Sequence, residues 1–409
     1  MKSKQSKNNF KRKNNSGFKS DFSKRRGSTN KNRPNRRRKG QAVIDPNNLI
    51  KKAVPATETA SVDRRKFSEL PLEKQLKDRI ERKGYVHMTE IQDKTIEALI
   101  EGDDVMGIAS TGSGKTAAFL IPIINQQLTF DGSFQALILV PTRELALQVE
   151  EEFKSLTKGL GMFCTSLIGG TNIQKDMQRL RRTNHLIIGT PGRVIDLIKR
   201  RALNLRPFST LILDEFDRML DMGFADDVMH IISNMQNREQ TILFSATENG
   251  KQKALIDQLL HEPKNIRVSS GNTSAEHIDQ DIVRIQNGEN KFDVLLDMIR
   301  KEDFDKVLVF AETKRWVAKL TEKLKKAGIS ADEIHGDKSQ GYRKKALNRF
   351  RSGNVQVLVA TDVAARGIDV DDITHVINYE LPQSMESYIH RIGRTGRAGK
   401  AGKAYTLVD

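Results

Sequence analysis

The sequence predicts an α/β fold: two parallel-sheet domains joined by a short hinge and preceded by a disordered basic tail. Three observations carry this. From about Asp63 onward, short apolar runs alternate with helix-length stretches, the pattern of βαβ units and parallel sheets. A polar stretch, Ser269-Ser270-Gly271-Asn272-Thr273-Ser274, interrupts the alternation before it resumes. Residues 1–40 hold 16 Lys or Arg and one acid, Asp21, and therefore +15 of the chain's net charge of +17. The expected division is a basic extension over 1–62, a first domain over 63–270 and a second over 271–409.

The tail comes first in the chain. It is rich in Asn, Ser, Gly, Lys and Arg, with Phe10, Phe18 and Phe22 scattered among them, too little apolar surface to offset its ordering entropy. Its expected role is a polyanion-binding arm, because neutralised phosphates release counterions and the Phe rings can stack on bases. A solubilising tail, a nuclear-import signal around Arg36-Arg37-Arg38-Lys39 and an organellar presequence are the other readings. Against a presequence, Asn and Gly interrupt any amphipathic helix.

A length of 409 residues suits two or three domains, at roughly 100–200 residues each. Hydrophobic residues at 37% and charged residues at 30% exclude disorder along the whole chain. The lone Cys164 forms no internal disulfide, and no Cys/His group has zinc-ligand spacing. A reducing compartment is expected, the cytosol first and a nucleus where the host has one. No apolar run approaches the roughly 18 residues needed to cross a bilayer.

In the first domain the strand candidates are Val105–Ile108, Ala136–Val140, His185–Ile188, Leu211–Leu213 and Ile242–Phe244, with a helix over Glu144–Leu156. After the first strand comes Ala109-Ser110-Thr111-Gly112-Ser113-Gly114-Lys115-Thr116, a P-loop pattern with Ala at its first Gly position. Gly112 and Gly114 let backbone N–H groups surround phosphate oxygens. Lys115 supplies a point charge at the β- and γ-phosphates, and Thr116 offers a hydroxyl to Mg²⁺. Further on, Asp214-Glu215-Phe216-Asp217 follows a buried strand, at the carboxyl end where open α/β sheets bind ligands. Asp214 would hold the metal and Glu215 would orient or deprotonate water, which makes the expected reaction hydrolysis.

In the second domain, strands are expected at Ile282–Ile285, Val307–Phe310, Val355–Val359 and Val376–Asn378. Near the end lies His390-Arg391-Ile392-Gly393-Arg394-Thr395-Gly396-Arg397. An arginine placed on the developing charge speeds phosphoryl transfer by roughly 10³–10⁵. A second domain delivers one by closing, which would make the hinge a switch.

With these motifs in this order, the chain from about Phe67 to Asp409 resembles the DEAD-box ATP-dependent RNA helicases. The resemblance implies two tandem RecA-like domains, ATP with Mg²⁺, and RNA as partner. Phe67, Gly84-Tyr85 and Thr89-Glu90-Ile91-Gln92 resemble the family's adenine-reading element, with Gln92 on the adenine edge. Pro141-Thr142-Arg143-Glu144-Leu145, Gly169-Gly170 and Thr190-Pro191-Gly192-Arg193 resemble its RNA-backbone contacts in the first lobe; on their own they read as strand-to-helix turns. Ser245-Ala246-Thr247 resembles the motif coupling nucleotide state to strand separation, with Asp217 as its contact. In the second lobe, Gln340, Arg343 and Thr361 resemble RNA contacts and Asp369 a ribose contact. Arg394 and Arg397 match the family's finger positions, and His390 and Arg391 the residues linking the RNA and ATP sites.

Two departures stand out. Phe216 replaces the family's usual Ala and either alters the contact of Asp217 with Ser245 or Thr247 or simply fills core space. The chain ends at Asp409, soon after the arginine motif, which predicts a last strand with less cover. The implied function is ATP-driven local unwinding of short RNA duplexes or remodelling of RNA–protein complexes. An ATP-gated RNA clamp with weak unwinding, a translocating DNA helicase and a purely structural RNA-binding protein are the rivals.

Overall fold

The computed structural model describes residues 44–53, 64–110, 112–130, 135–247, 250–268, 278–301, 303–365, 370, 372–396 and 402–409. Two parallel sheets form in chain order. The first contains β1 (Val105–Ile108), β2 (Ala136–Leu139), β3 (Cys164–Leu167), β4 (Leu186–Gly189), β5 (Thr210–Leu213), β6 (Gln240–Ser245) and β7 (Lys264–Arg267). Their spatial order is β3-β4-β2-β5-β6-β1-β7, and every ladder is parallel. The second contains β8 (Ile278–Arg284), β9 (Val307–Phe310), β10 (Ala331–Ile334), β11 (Val357–Ala360), β12 (His375–Asn378) and β13 (Gly402–Val408), in the order β10-β11-β9-β12-β13-β8.

Helices cover both faces, so successive strand residues feed opposite cores. In β2, Ala136 and Ile138 join the cluster built around Phe119, Phe153 and Phe244, while Leu137 and Leu139 join the one around Phe208 and Phe216. The second sheet divides likewise, with Leu308 and Phe310 on one side and Val307 and Val309 on the other. The central runs VMGI, ALIL, LIIG, VLVF and VLVA therefore read as apolar throughout rather than alternating.

Val105–Ile108 and Val307–Phe310 are strands as expected, and the other expected strands are present with ends moved by a few residues, the largest shift being the earlier start of β8 at Ile278. The helix expected from Glu144 begins at Arg143 because Thr142 caps it, its hydroxyl accepting from the Leu145 N–H at 3.3 Å. β13, the last strand, lies inside its sheet between β12 and β8, with Ala404 and Leu407 each 1% exposed; it is better covered than expected. The change between sheets falls within 269–277, so the expected hinge and the 270/271 boundary lie outside the described residues, as do residues 1–43 of the basic tail.

One part of the expected disordered extension is folded. Asp45 caps a short 3-10 turn, Pro46–Leu49, by accepting from the Asn47 N–H at 3.0 Å. Leu49 (0% exposed) and Ile44 (8%) enter the core of the second lobe. Lys51 then pairs antiparallel with Gln280 of β8 through bonds of 2.9 and 2.7 Å. Two buried aliphatic side chains, worth about 1.5–3 kcal/mol each, give this stretch what the lysine- and asparagine-rich residues before it lack.

Candidate functional site

β1 delivers the chain to the glycine-rich loop, and Gly114, at φ 96°, starts the helix Lys115–Thr129. The Lys115 side chain is buried, and its Nζ donates to the Ala109 carbonyl at 2.7 Å. That keeps the ammonium against the loop it serves. Ser113 Oγ closes the turn onto the Ser110 carbonyl at 2.8 Å. Thr116, one residue into the helix, is partly exposed, and Thr111 lies outside the described residues.

Gln92 is fixed to this loop. Its Oε1 accepts from the Thr89 N–H at 2.8 Å, capping the helix Glu90–Glu101, and its Nε2 donates to the Gly114 carbonyl at 3.1 Å. A Cβ on Gly114 would stand 2.6 Å from that Nε2 and 2.9 Å from Thr89 Oγ1. Glycine is required there for space as well as for its positive φ. Phe67 is 3% exposed and stacks on Tyr85 with ring centroids 6.0 Å apart. It packs inside the lobe and presents no open face.

β5 ends at the acidic motif. Asp214 and Glu215 are both buried, and Glu215 takes a left-handed conformation, φ 52° and ψ 50°, that turns the chain into the next helix, Phe216–Asp221. Burial pushes the Asp214 carboxyl up to about 6; Lys115 opposes the rise and Glu215 adds to it. Burial acts on Glu215 in the same sense but loses to the nearby cations Arg218, Arg394 and Lys115, which hold it below the usual carboxylate range. Arg218 makes a fully buried ion pair with Glu215 at 2.7 Å. Arg394 acts on it from the other lobe. Two adjacent carboxylates are thus driven apart in acidity, one reluctant to ionise and one held ionised.

Phe216 is 0% exposed in the first lobe's core. The contact it was placed to disturb is present: Asp217 Oδ2 accepts from the Ala246 and Thr247 N–H groups at 3.2 Å each and from Thr247 Oγ1 at 3.1 Å. Ser245 Oγ instead donates to the Thr247 carbonyl at 2.6 Å. Thr247 Oγ1 also stands 3.4 Å from Glu386 Oε1 of the second lobe. The functional atoms of Asp217, Glu386 and His390 lie within 4.8 Å of one another. Of the residues expected to couple the lobes, Asp217, Ser245, Thr247 and His390 lie together, and Arg391 turns to other partners.

His390 and Arg391 share the helix Met385–Ile392. Arg391 grips both oxygens of Asp362, at 2.6 and 2.7 Å, and donates to Asn378 Oδ1 and the Glu380 carbonyl. It ties that helix to the end of β11, beside Thr361. Arg394 follows the helix, its Nε donating to the His390 carbonyl at 3.2 Å. Arg397 and Asp369 lie outside the described residues.

Pro141, Gly170 and Thr190 follow the carboxyl ends of β2, β3 and β4, on one rim of the sheet. The Arg143 guanidinium covers the Gly169-Gly170 turn closely enough that a Cβ on Gly170 would come 2.9 Å from its Cζ. Gly192 is exposed at the start of the helix Pro191–Lys199, which Thr190 precedes. Arg193 is committed inward, pairing with Asp176 and donating to the Thr171 carbonyl at 2.9 Å. Gln340 and Arg343 face Glu144 across the lobe junction, at 3.4 and 2.7 Å, rather than open surface. Arg218 and Glu386 were not foreseen as site residues, and Glu144, within the expected RNA-contact motif, was not singled out. Arg218 carried a sequence signal of its own, a cation three residues after a carboxylate at a helix start.

Residues 89–255 match the family model for the DEAD/DEAH box helicase, and residues 290–399 match the helicase conserved C-terminal domain. A relative from Streptococcus pneumoniae, named DEAD-box ATP-dependent RNA helicase CshA, is 45% identical over 328 residues, covering 80% of this chain and 62% of the relative. The ATP-dependent RNA helicase CshA of Listeria monocytogenes is 43% identical over 343 residues, covering 84% and 66%. The chain thus spans a little under two thirds of these relatives' length. Among solved structures, S. cerevisiae Dbp5 bound to RNA and ADP BeF3 superposes with a TM-score of 0.75 at 30% identity, covering 84% of this chain and 89% of that one. Mss116p bound to ssRNA and AMP-PNP gives 0.76 at 31%, covering 88% and 77%.

Asp214→Asn gives a test of the buried charge independent of any assay of activity. Because the folded-state pKa is raised, the carboxyl stabilises the fold fully below the ordinary value near 3.8 and loses that contribution as pH rises through about 6. The neutral variant is expected to be more stable than the parent by about 1–3 kcal/mol at pH 7.5, with the gain vanishing near pH 4. Denaturant melts at both pH values measure it, and an equal difference at both would contradict the assignment.

Proposed function

This chain belongs to the DEAD-box ATP-dependent RNA helicase family, and on that premise we propose that it hydrolyses ATP with RNA stimulation and locally opens short RNA duplexes or remodels RNA–protein complexes. The observation that carries this reading is the meeting of the two lobes at the acidic motif, where Glu386 and His390 reach Asp217 and Thr247 and Arg394 helps hold the Glu215 carboxyl below the usual carboxylate range. A cation from one sheet domain already acts on the carboxylate of the other, as a two-sided phosphate clamp requires.

Lys115, Gly112, Gly114 and the loop amides take the phosphates, and Gln92 reads the adenine edge with Phe67 supporting it from within the lobe. Ser110, Thr111 and Ser113 complete the loop, and Asp369 takes the ribose. The donors fit Mg²⁺: oxygens from Thr116 and from Asp214, a buried carboxylate at the end of β5 whose pKa burial pushes up to about 6. Bound there, Mg²⁺ supplies charge neutralisation at the β- and γ-phosphates. Glu215, kept ionised by Arg218, accepts a proton from the attacking water. Arg394 and Arg397 stabilise charge developing on the γ-phosphate. Asp217, Ser245, Thr247, His390 and Arg391 pass the nucleotide state to the RNA side.

RNA lies on the rim made by Pro141, Thr142, Arg143, Gly170, Thr190 and Gly192, which Arg193 braces from within through Asp176 and Thr171, with Gln340, Arg343 and Thr361 opposite. Arg343 already pairs there with buried Glu144, so an RNA phosphate competes with a carboxylate for the same guanidinium. Contacts of this kind read backbone and 2′-hydroxyl groups, which makes recognition largely independent of sequence. The basic residues 1–40 hold RNA nearby. Phe216, seated in the core with the Asp217–Thr247 contact present, gives the clamp reading no support.

Lys115→Ala is expected to remove ATP binding, and unchanged turnover would refute the phosphate cradle. Arg394→Ala is expected to lower RNA-stimulated kcat by roughly 10³-fold while KM for ATP moves by less than about threefold; equal losses in both would argue against a charge-stabilising role. Removal of residues 1–40 should flatten the log–log salt dependence of RNA binding by roughly 0.7 per lost phosphate contact, with the ATPase retained. An unaltered slope would show that these residues do not engage RNA.

A further inference from the structure

The helix Met385–Ile392 has two working faces. Glu386 and His390, one turn apart, point to Asp217 and Thr247 of the first lobe. Tyr388, two positions from each, lies on the opposite side of the helix, where it is 1% exposed in a core with Ile392. Its hydroxyl bonds at 3.2 Å to Gln280 Oε1 and at 3.4 Å to the Leu49 carbonyl.

Leu49 belongs to neither lobe's sheet domain in sequence order: it precedes the first lobe, yet it is seated in the second. The seat is specific. Lys51 and Gln280 exchange both backbone bonds, Ala53 N–H donates to Asp279 Oδ1 at 2.9 Å, and Arg284 Nη2 donates to Asn47 Oδ1 at 2.6 Å. The segment covers the outer edge of β8, the end strand of its sheet, and so satisfies backbone groups that an open edge exposes. Its apolar side chains pack behind the helix that bears His390 and leads into Arg394.

We infer that Ile44–Ala53 is an intramolecular strap that positions the helix Met385–Ile392, so that the reach of His390 and Arg394 across the lobe junction is set by residues outside both sheet domains. Tyr388 is the positioning residue through which the strap acts. The consequence for turnover rests on the nucleotide chemistry proposed above; the docking of the strap does not.

The test compares the full chain with Leu49→Ser, which empties the seat, and with Lys51→Pro, which removes one backbone bond at an exposed position without touching the core. Hydrogen exchange read by mass spectrometry should quicken about tenfold or more over 278–284 and 385–392, with the first-lobe helix Lys115–Thr129 unaffected. RNA-stimulated kcat should fall by about fivefold or more while KM for ATP stays within about twofold. Leu49→Met should preserve both, and excess synthetic peptide of residues 44–53 should restore protection in Leu49→Ser. Unchanged exchange over 385–392 in both variants overturns the strap. Faster exchange with an unchanged kcat overturns the positioning role. A parent chain that hydrolyses no ATP overturns the nucleotide reading, and the exchange data then still decide the docking.

Discussion

Two neighbouring carboxylates out of water are the constraint around which the site is organised. Asp214 and Glu215 repel each other, and burial penalises the charge on both. The protein resolves this unequally. Glu215 receives a buried guanidinium at 2.7 Å, from Arg218, whereas against burial Asp214 has the Glu215 N–H, which donates to its Oδ1 at 2.9 Å, and the longer-range pull of Lys115 and Arg218. Loss of one partner from a buried ion pair costs about 3–5 kcal/mol, so Arg218 is fixed by the fold as firmly as any core residue. The asymmetry is chemically useful: an ionised group suits proton acceptance, and an under-compensated one suits a divalent cation.

The same economy governs the lobe junction. Arg394 acts on Glu215, Arg343 on Glu144, and Glu386 meets Thr247. The first two pair a guanidinium of the second lobe with a carboxylate the first lobe has buried, and the third joins two half-buried groups. Such pairs exchange readily for phosphate oxygens, since guanidinium binds carboxylate and phosphate with similar geometry. A junction of this kind is sensitive to ligands on both of its sides.

Much of this was legible in the sequence, and the exceptions have physical causes. Central strands announced themselves because both faces are buried, as in VLVF and VLVA. β3, β7 and β10, which were not foreseen, are sheet-edge strands with polar residues. β10 buries Asp332 and Glu333, offset by Arg349 and Lys338, and no pattern of periodicity reveals such a compensation. At the site, the P-loop and acidic motif were readable because local backbone geometry alone presents those groups. Glu386 became a site residue, and Glu144 acquired its partners Gln340 and Arg343, only through contacts some 140 to 200 positions away. Phe216 shows the converse: the sequence left two readings open, and the core chose between them. Ile44 and Leu49 escaped notice because two aliphatic residues among Lys, Asn and Pro make no periodic signal.

The placement of Leu49 bears on how the molecule is made. Its carbonyl bonds to a tyrosine 339 positions later in the chain. At synthesis rates of about 5–20 residues per second, that interval is roughly 20–70 s. For that time the earliest apolar residues of the described chain have no seat, and the first sheet domain can close before they find one. The second sheet domain is therefore completed by a segment made before the first, and its core closes only when residues on both sides of the first domain meet.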